Sequence, residues 1–189
     1  MAASRIVCID VEPGGQWRPD GSVGLCEVDE NGVIGTPFHL PFISPLGPGR
    51  SATDFPEVWA FVEAYLGSSI VAAYNARYDR AALRRLVASV PDAVIAAPEI
   101  RCVLEAVRRT PNLPSIGCLG DAVIRLRLFS DDEIELRRRR FFDDHYGNKW
   151  MLNDSSDDAL ACARLVTKLT TLSAQPVEDL LHPVAPRLR

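Results

Sequence analysis

Asp10 and Glu12, in the run IVCIDVEPGG (residues 6–15), are the first side chains whose types and spacing suggest chemistry. In a strand, positions i and i+2 point the same way, so the two carboxylates project together while Ile9 and Val11 project opposite. Like charges side by side repel, and a buried unpaired carboxylate costs several kcal/mol or takes up a proton. Either the strand end is simply wet or a cation sits there. Two more acidic positions follow apolar runs. In YNARYDRAALRRL, Asn75 can cap a helix and Asp79, four residues on, returns to the same face one turn later. In SSDDALACARL, Asp157 and Asp158 open a helix, and Asp158 lies nearer its inward stripe of Ala159, Ala163 and Val166. Each has a bland explanation on its own, because acids in a first helical turn complement the macrodipole.

The elements that must position these groups can be read from period and punctuation. After the first strand and a polar loop, residues 22–28 (SVGLCEV) read as a second strand. The pair Asn31-Gly32 then makes a hairpin turn. Residues 33–43 continue as a third strand with a Pro-interrupted end. Residues 54–67 show helical spacing at Phe55, Val58, Trp59, Val62 and Leu66, with Asp54 available as N-cap and Gly67 as a stop. A short buried strand (68–75) leads into a helix from Asn75. Two more helical segments, about 98–109 and 115–127, are separated by TPNLP. The last strong helix is 155–172, with Ser155 or Ser156 as N-cap. These expectations amount to one mixed α/β domain over residues 1–172 and a Pro-punctuated C-terminal tail over 173–189.

Taken together the pieces resemble the DEDD superfamily of 3′→5′ exonucleases, the DnaQ-like group with an RNase H-like fold. The resemblance rests on D-x-E in CIDVEPGG (Asp10, Glu12), N-x-x-[FY]-D in AYNARYDRAAL (Asn75, Tyr78, Asp79) and the helix opening SSDDALACARLV (Asp158). It covers about residues 5–170 and implies a central mixed β-sheet flanked by helices. It also implies a site in which Asp10, Glu12, Asp79 and Asp158 hold two divalent cations, Mg²⁺ or Mn²⁺. Such hard cations suit an all-carboxylate set, whereas zinc would call for His or Cys. By the same mapping Asp10 bridges both ions, Glu12 and Asp158 favour the ion that activates water, and Asp79 holds the other through its shell. Asn75 and Tyr78 are supporting residues.

The chain departs from that pattern at the general base. The DEDDh branch has His five residues before the last Asp, where this sequence has Asn153; the tyrosine branch has Tyr four residues before, where Asp154 stands. Asn accepts no proton at neutral pH, and a general base is worth about 10²–10⁴-fold. His145, in the segment FFDDHYGNKW, is the alternative base. The Thr-Thr-Gly that often follows D-x-E in the family is replaced by Pro13-Gly14-Gly15.

A 3′-end nuclease needs cations for phosphates and flat surfaces for bases. Arg77, Arg80 and Arg84 beside Asp79, and the block Arg137–Arg140, which includes Arg138, are candidates for the first. Trp17, Phe141, Phe142, Tyr146 and Trp150 are candidates for the second. Segment 129–152 is longer and more charged than a plain connector and reads as a lid over the site.

The 189 residues are 47% hydrophobic with net charge −4, which excludes a generally polybasic nucleic-acid binder and suits single-stranded ends or short oligonucleotides. Five cysteines without a C-x-x-C pair argue against a disulfide framework. With no membrane-length apolar run and no signal-peptide pattern, the expectation is a cytoplasmic protein. The expected partner is a nucleic acid with a free 3′ end, and a homodimer or larger assembly is left open. Two functions compete: a metal-dependent 3′→5′ exonuclease, or a catalytically silent exonuclease-fold module that binds nucleic acid ends or a partner protein.

Overall fold

The computed structural model describes residues 5–15, 20–46, 53–144 and 155–181, with the side chains of 138–144 and Val177 left aside. Along the chain run β1 (Ile6–Glu12), β2 (Asp20–Val28), β3 (Phe38–Ile43), α1 (Phe55–Leu66), β4 (Ile70–Ala73), α2 (Ala76–Ala88), β5 (Ile100–Cys102), α3 (Val103–Arg109), α4 (Leu119–Arg125), α5 (Asp131–Asp144), α6 (Ser155–Ser173) and α7 (Val177–Leu180). The sheet order is β3-β2-β1-β4-β5. β1, β2 and β3 form an antiparallel meander, and β4 and β5 run parallel to β1 on its other side. The fold is therefore α/β, a mixed five-strand sheet flanked by helices.

β1 is central and apolar on both faces, which is why its sequence shows little alternation. Val7, Ile9 and Val11 join Phe55, Trp59 and Val62 of α1 and Leu83 and Leu86 of α2 on one side. Ile6 and Cys8 join α3, α4 and α6 on the other, against Ala159, Cys162 and Val166. Asp10 and Glu12 continue that second row beyond the point where apolar packing ends.

The free edge of the meander is blunted. Ile43 turns its backbone away from β2: its N–H donates to Asp54 Oδ1 at 2.6 Å and its carbonyl accepts from Thr53 Oγ1. Two residues earlier Pro41 has no N–H to offer on that same side. Asp54 is thus spent on β3 and makes no cap to α1; Thr53 Oγ1 accepts the Phe55 N–H instead. Asn75, expected as a cap, likewise makes no side-chain cap bond to α2.

Several expected boundaries move. The third strand is shorter than 33–43, with a lone bridge between Val28 and Ile34 before it. The helix expected from about 98 starts at Val103, and Ile100–Cys102 pairs with β4 as a fifth strand. The 129–152 segment, read as an irregular lid, is helical over Asp131–Asp144. Its start is a capping box: Ser130 Oγ accepts the Glu133 N–H at 3.2 Å, and Glu133 Oε2 accepts the Ser130 N–H at 2.9 Å. Glu133 also takes both terminal nitrogens of Arg164 on α6, at 2.7 and 3.0 Å, which holds its carboxyl down at about 2. Ser130→Ala is expected to cost about 1 kcal/mol, read as a lower midpoint in urea unfolding; an unchanged midpoint would show that the box contributes nothing.

After α6 the chain does not leave the body as a tail at once. Leu180 and Leu181 are buried beside α6, and Arg109 donates to the Leu180 carbonyl. All five cysteines are free. Among the described residues no helix is long and apolar enough to cross a membrane.

Candidate metal centre and its cavity

Asp10 and Glu12 stand at the C-terminal end of β1, and in register across β2 they face Gly24 and Ser22. Gly24 has no side chain for a physical reason: a Cβ there would lie 1.8 Å from the Ser155 carbonyl oxygen and 2.6 Å from the Ser156 nitrogen. The first turn of α6 therefore rests directly on β2. Asp158, at the end of that same first turn, is brought beside β1. One carboxylate oxygen from each of Asp10, Glu12 and Asp158 lies within 4.8 Å of the other two. Asp10 and Asp158 are half-buried and Glu12 is exposed.

Asp79 comes from the opposite side, on the first turn of α2. It is 5% exposed, and its Oδ1 accepts the backbone N–H of Val11 at 3.0 Å, in the link between Asp10 and Glu12. Burial pushes its carboxyl up to about 6; the Val11 N–H and its own backbone N–H pull the other way, Glu12 adds to the rise and Arg80 opposes it. Asp79 is outside the three-oxygen cluster but shares its cavity. That cavity, of about 390 Å³, is lined by all four carboxylates together with Asn75 and Tyr78. Tyr78 stands 73% exposed at its mouth.

The lining residues that sequence reasoning did not single out include Tyr74, Arg85 and Leu119. The Tyr74 hydroxyl is buried with no hydrogen-bond partner among the described residues, and burial holds its phenol well above the usual range. Arg85 lies six residues beyond Asp79, about 9 Å along the helix axis. Its signal was present in the spacing, since Tyr78, Ala82 and Arg85 follow the i, i+4, i+7 rule on one face. Arg80 does not line the cavity; its Nε donates back to the Ala76 carbonyl at 3.0 Å, and Arg84 Nε does the same to Arg80. Arg137, the first of the four-arginine block, pairs with Asp157 at 2.9 Å and lies over the Phe129 ring at 4.3 Å, as Arg164 also does. That charge fastens α5 to α6. Trp17, His145 and Asn153 lie outside the described residues, as do the side chains of Arg138 and Phe141.

The donor set fits hard divalent cations. Three carboxylate oxygens converge, a fourth carboxylate shares the cavity, and among the described residues neither His nor Cys belongs to the group. Glu12 and Tyr78, both exposed, line the solvent side of the cavity. Compared with known proteins, the chain matches no family model and no curated protein sequence.

Proposed function

We propose that the chain is a metal-dependent 3′→5′ exonuclease of the DEDD type with an RNase H-like fold. It hydrolyses phosphodiester bonds from the 3′ end of single-stranded DNA or RNA, or of short oligonucleotides. The observation that carries this reading is the meeting of Asp10, Glu12 and Asp158 within 4.8 Å, from elements far apart in the chain, in one cavity with Asp79. A mixed sheet with flanking helices is consistent with the fold expectation, and three motifs in order along the sequence support the family.

Asp10, Glu12, Asp79 and Asp158 would hold two ions, Mg²⁺ or Mn²⁺. When bound, such ions supply the positive charge and Lewis acidity that favour attack of water on phosphorus and departure of the 3′ oxygen. The remaining work falls to the chain. Tyr74 and Leu119 offer an aromatic and an apolar flank for a base, and Arg85 a guanidinium for an anionic group. A volume of about 390 Å³ suits a nucleotide-sized guest rather than a duplex. At the position of the family's general base stands Asn153, so a slow turnover is expected, with His145 the alternative proton acceptor.

The test is a gel assay of 5′-labelled single-stranded DNA and RNA with Mg²⁺, Mn²⁺ or EDTA, using the native chain, Asp10→Ala and Asn153→His. The expected result is a ladder of shortened products that EDTA and Asp10→Ala both abolish and Asn153→His accelerates. No shortening by the native chain or by Asn153→His in either metal would overturn the enzyme reading and leave a binding module.

A further inference from the structure

We propose that Ser22, His39 and Ser155 form a clasp that positions Asp158 against Asp10 and Glu12; the inference rests on reading those carboxylates as a metal site. Ser155 is 1% exposed, inside the first turn of α6. Its Oγ donates to Ser22 Oγ at 3.0 Å, and Nδ1 of His39 lies 3.3 Å away. With the Ser155 proton given to Ser22, His39 completes the chain as an Nδ1–H donor.

The placement of the partners is what carries the argument. Ser22 is the register partner of Glu12, and Gly24 that of Asp10, while His39 is the partner of Gly24 on β3. The two β2 residues opposite the β1 carboxylates are thus the ones that hold α6, one by a hydrogen bond and one by leaving room. A serine at a helix start ordinarily spends its hydroxyl on the helix's own N–H groups. Here the buried hydroxyl reaches across to two other strands, to half-buried Ser22 and to His39 at the exposed rim, and losing both partners would leave it unsatisfied. Asp158 sits three residues on, so a tilt or slip of the first turn moves its carboxylate directly. The clasp residues themselves contact no reacting group; they are positioning residues.

The test uses the full 189-residue chain and four proteins: native, Ser155→Ala, His39→Ala and His39→Asn. Asn keeps an N–H donor close to where Nδ1 sits. Mn²⁺ affinity is read from the electron paramagnetic resonance signal of the free ion, and amide exchange is followed at residues 156–159. Ser155→Ala and His39→Ala are expected to weaken Mn²⁺ at least about tenfold, in the range typical of outer-shell partners, and to speed exchange at those amides. His39→Asn is expected to stay within about threefold of native. Native Mn²⁺ affinity in both alanine variants, or failure of His39→Asn to restore it, would overturn the clasp while the metal site stands. No Mn²⁺ binding by the native chain would instead sink the metal site, and the clasp's proposed role with it.

Discussion

Gly24→Ala is expected to reduce the proposed metal-dependent cleavage by at least about 100-fold and to destabilise the fold by about 1–3 kcal/mol. By local preference alone the change should help, because glycine in a strand interior is less favourable than alanine by roughly 0.5–1 kcal/mol. The neighbours decide otherwise. The new Cβ would lie 1.8 Å from the Ser155 carbonyl oxygen and 2.0 Å from its carbon, and both are backbone atoms that no rotamer change can move aside. Relieving the contact to an ordinary C···O separation of about 3.3 Å means lifting the first turn of α6 by on the order of 1.5 Å. That turn carries Asp158, and a misplacement of about 1 Å in a reacting site costs on the order of 100-fold. Thermal unfolding and the rate of oligonucleotide shortening in Mn²⁺ check the two halves separately. A variant as stable as native and fully active would show that α6 does not depend on this contact.

The residues that make up the candidate site were legible because chemistry constrains them. D-x-E at a strand end, Asp79 one turn into a helix and Asp158 at the head of another were each visible, and the fold brings all four carboxylates to one cavity. What surrounds them was harder to see, for reasons that are local. Gly24 carries no local signal of its role in SVGLCEV, since its meaning lies in a backbone 131 positions away. Asp54 had the sequence position of a cap but satisfies the edge of β3, a competition that only the tertiary fold decides. The three-residue strand Ile100–Cys102 is too short to show a period of its own and merges with the helix that follows. The capping box Ser130–Glu133 was present in the sequence, yet the charge-rich run after it read as a loop. Arginines were the least legible of all. Arg80, Arg84 and Arg137 are tied to backbone or to Asp157, while Arg85, not among the arginines singled out from the sequence, lines the cavity.

Asp79→Asn is expected to make the metal-free protein more stable and to remove the proposed nuclease activity, a pair of effects that separates a site residue from a core residue. Asp79 is buried, and its folded-state carboxyl sits at about 6 rather than 3.8. A group whose folded pKa is raised binds its proton more tightly in the native state than in the unfolded chain. Its stabilising contribution is therefore complete below about pH 4, declines as pH rises through about 6, and is gone above that. Two pKa units correspond to roughly 2.7 kcal/mol, so the native chain in EDTA is expected to lose on the order of 2–3 kcal/mol between pH 4 and pH 8 through this group. Asn carries no charge and keeps an oxygen for the Val11 N–H, so the variant should show almost none of that decline. At pH 4 the two proteins should unfold alike; at pH 8 in EDTA the variant should be the more stable. Saturating Mn²⁺ should reverse the order at pH 8, because an ion that binds the native state alone stabilises it by mass action and Asn offers a weaker ligand. Cleavage by the variant should fall by at least about 100-fold. Urea unfolding at the two pH values, with and without Mn²⁺, measures all of this. If the variant were less stable than native at pH 8 in EDTA, burial would not be setting the ionisation of Asp79; if Mn²⁺ stabilised both proteins equally, Asp79 would take no part in holding the ion.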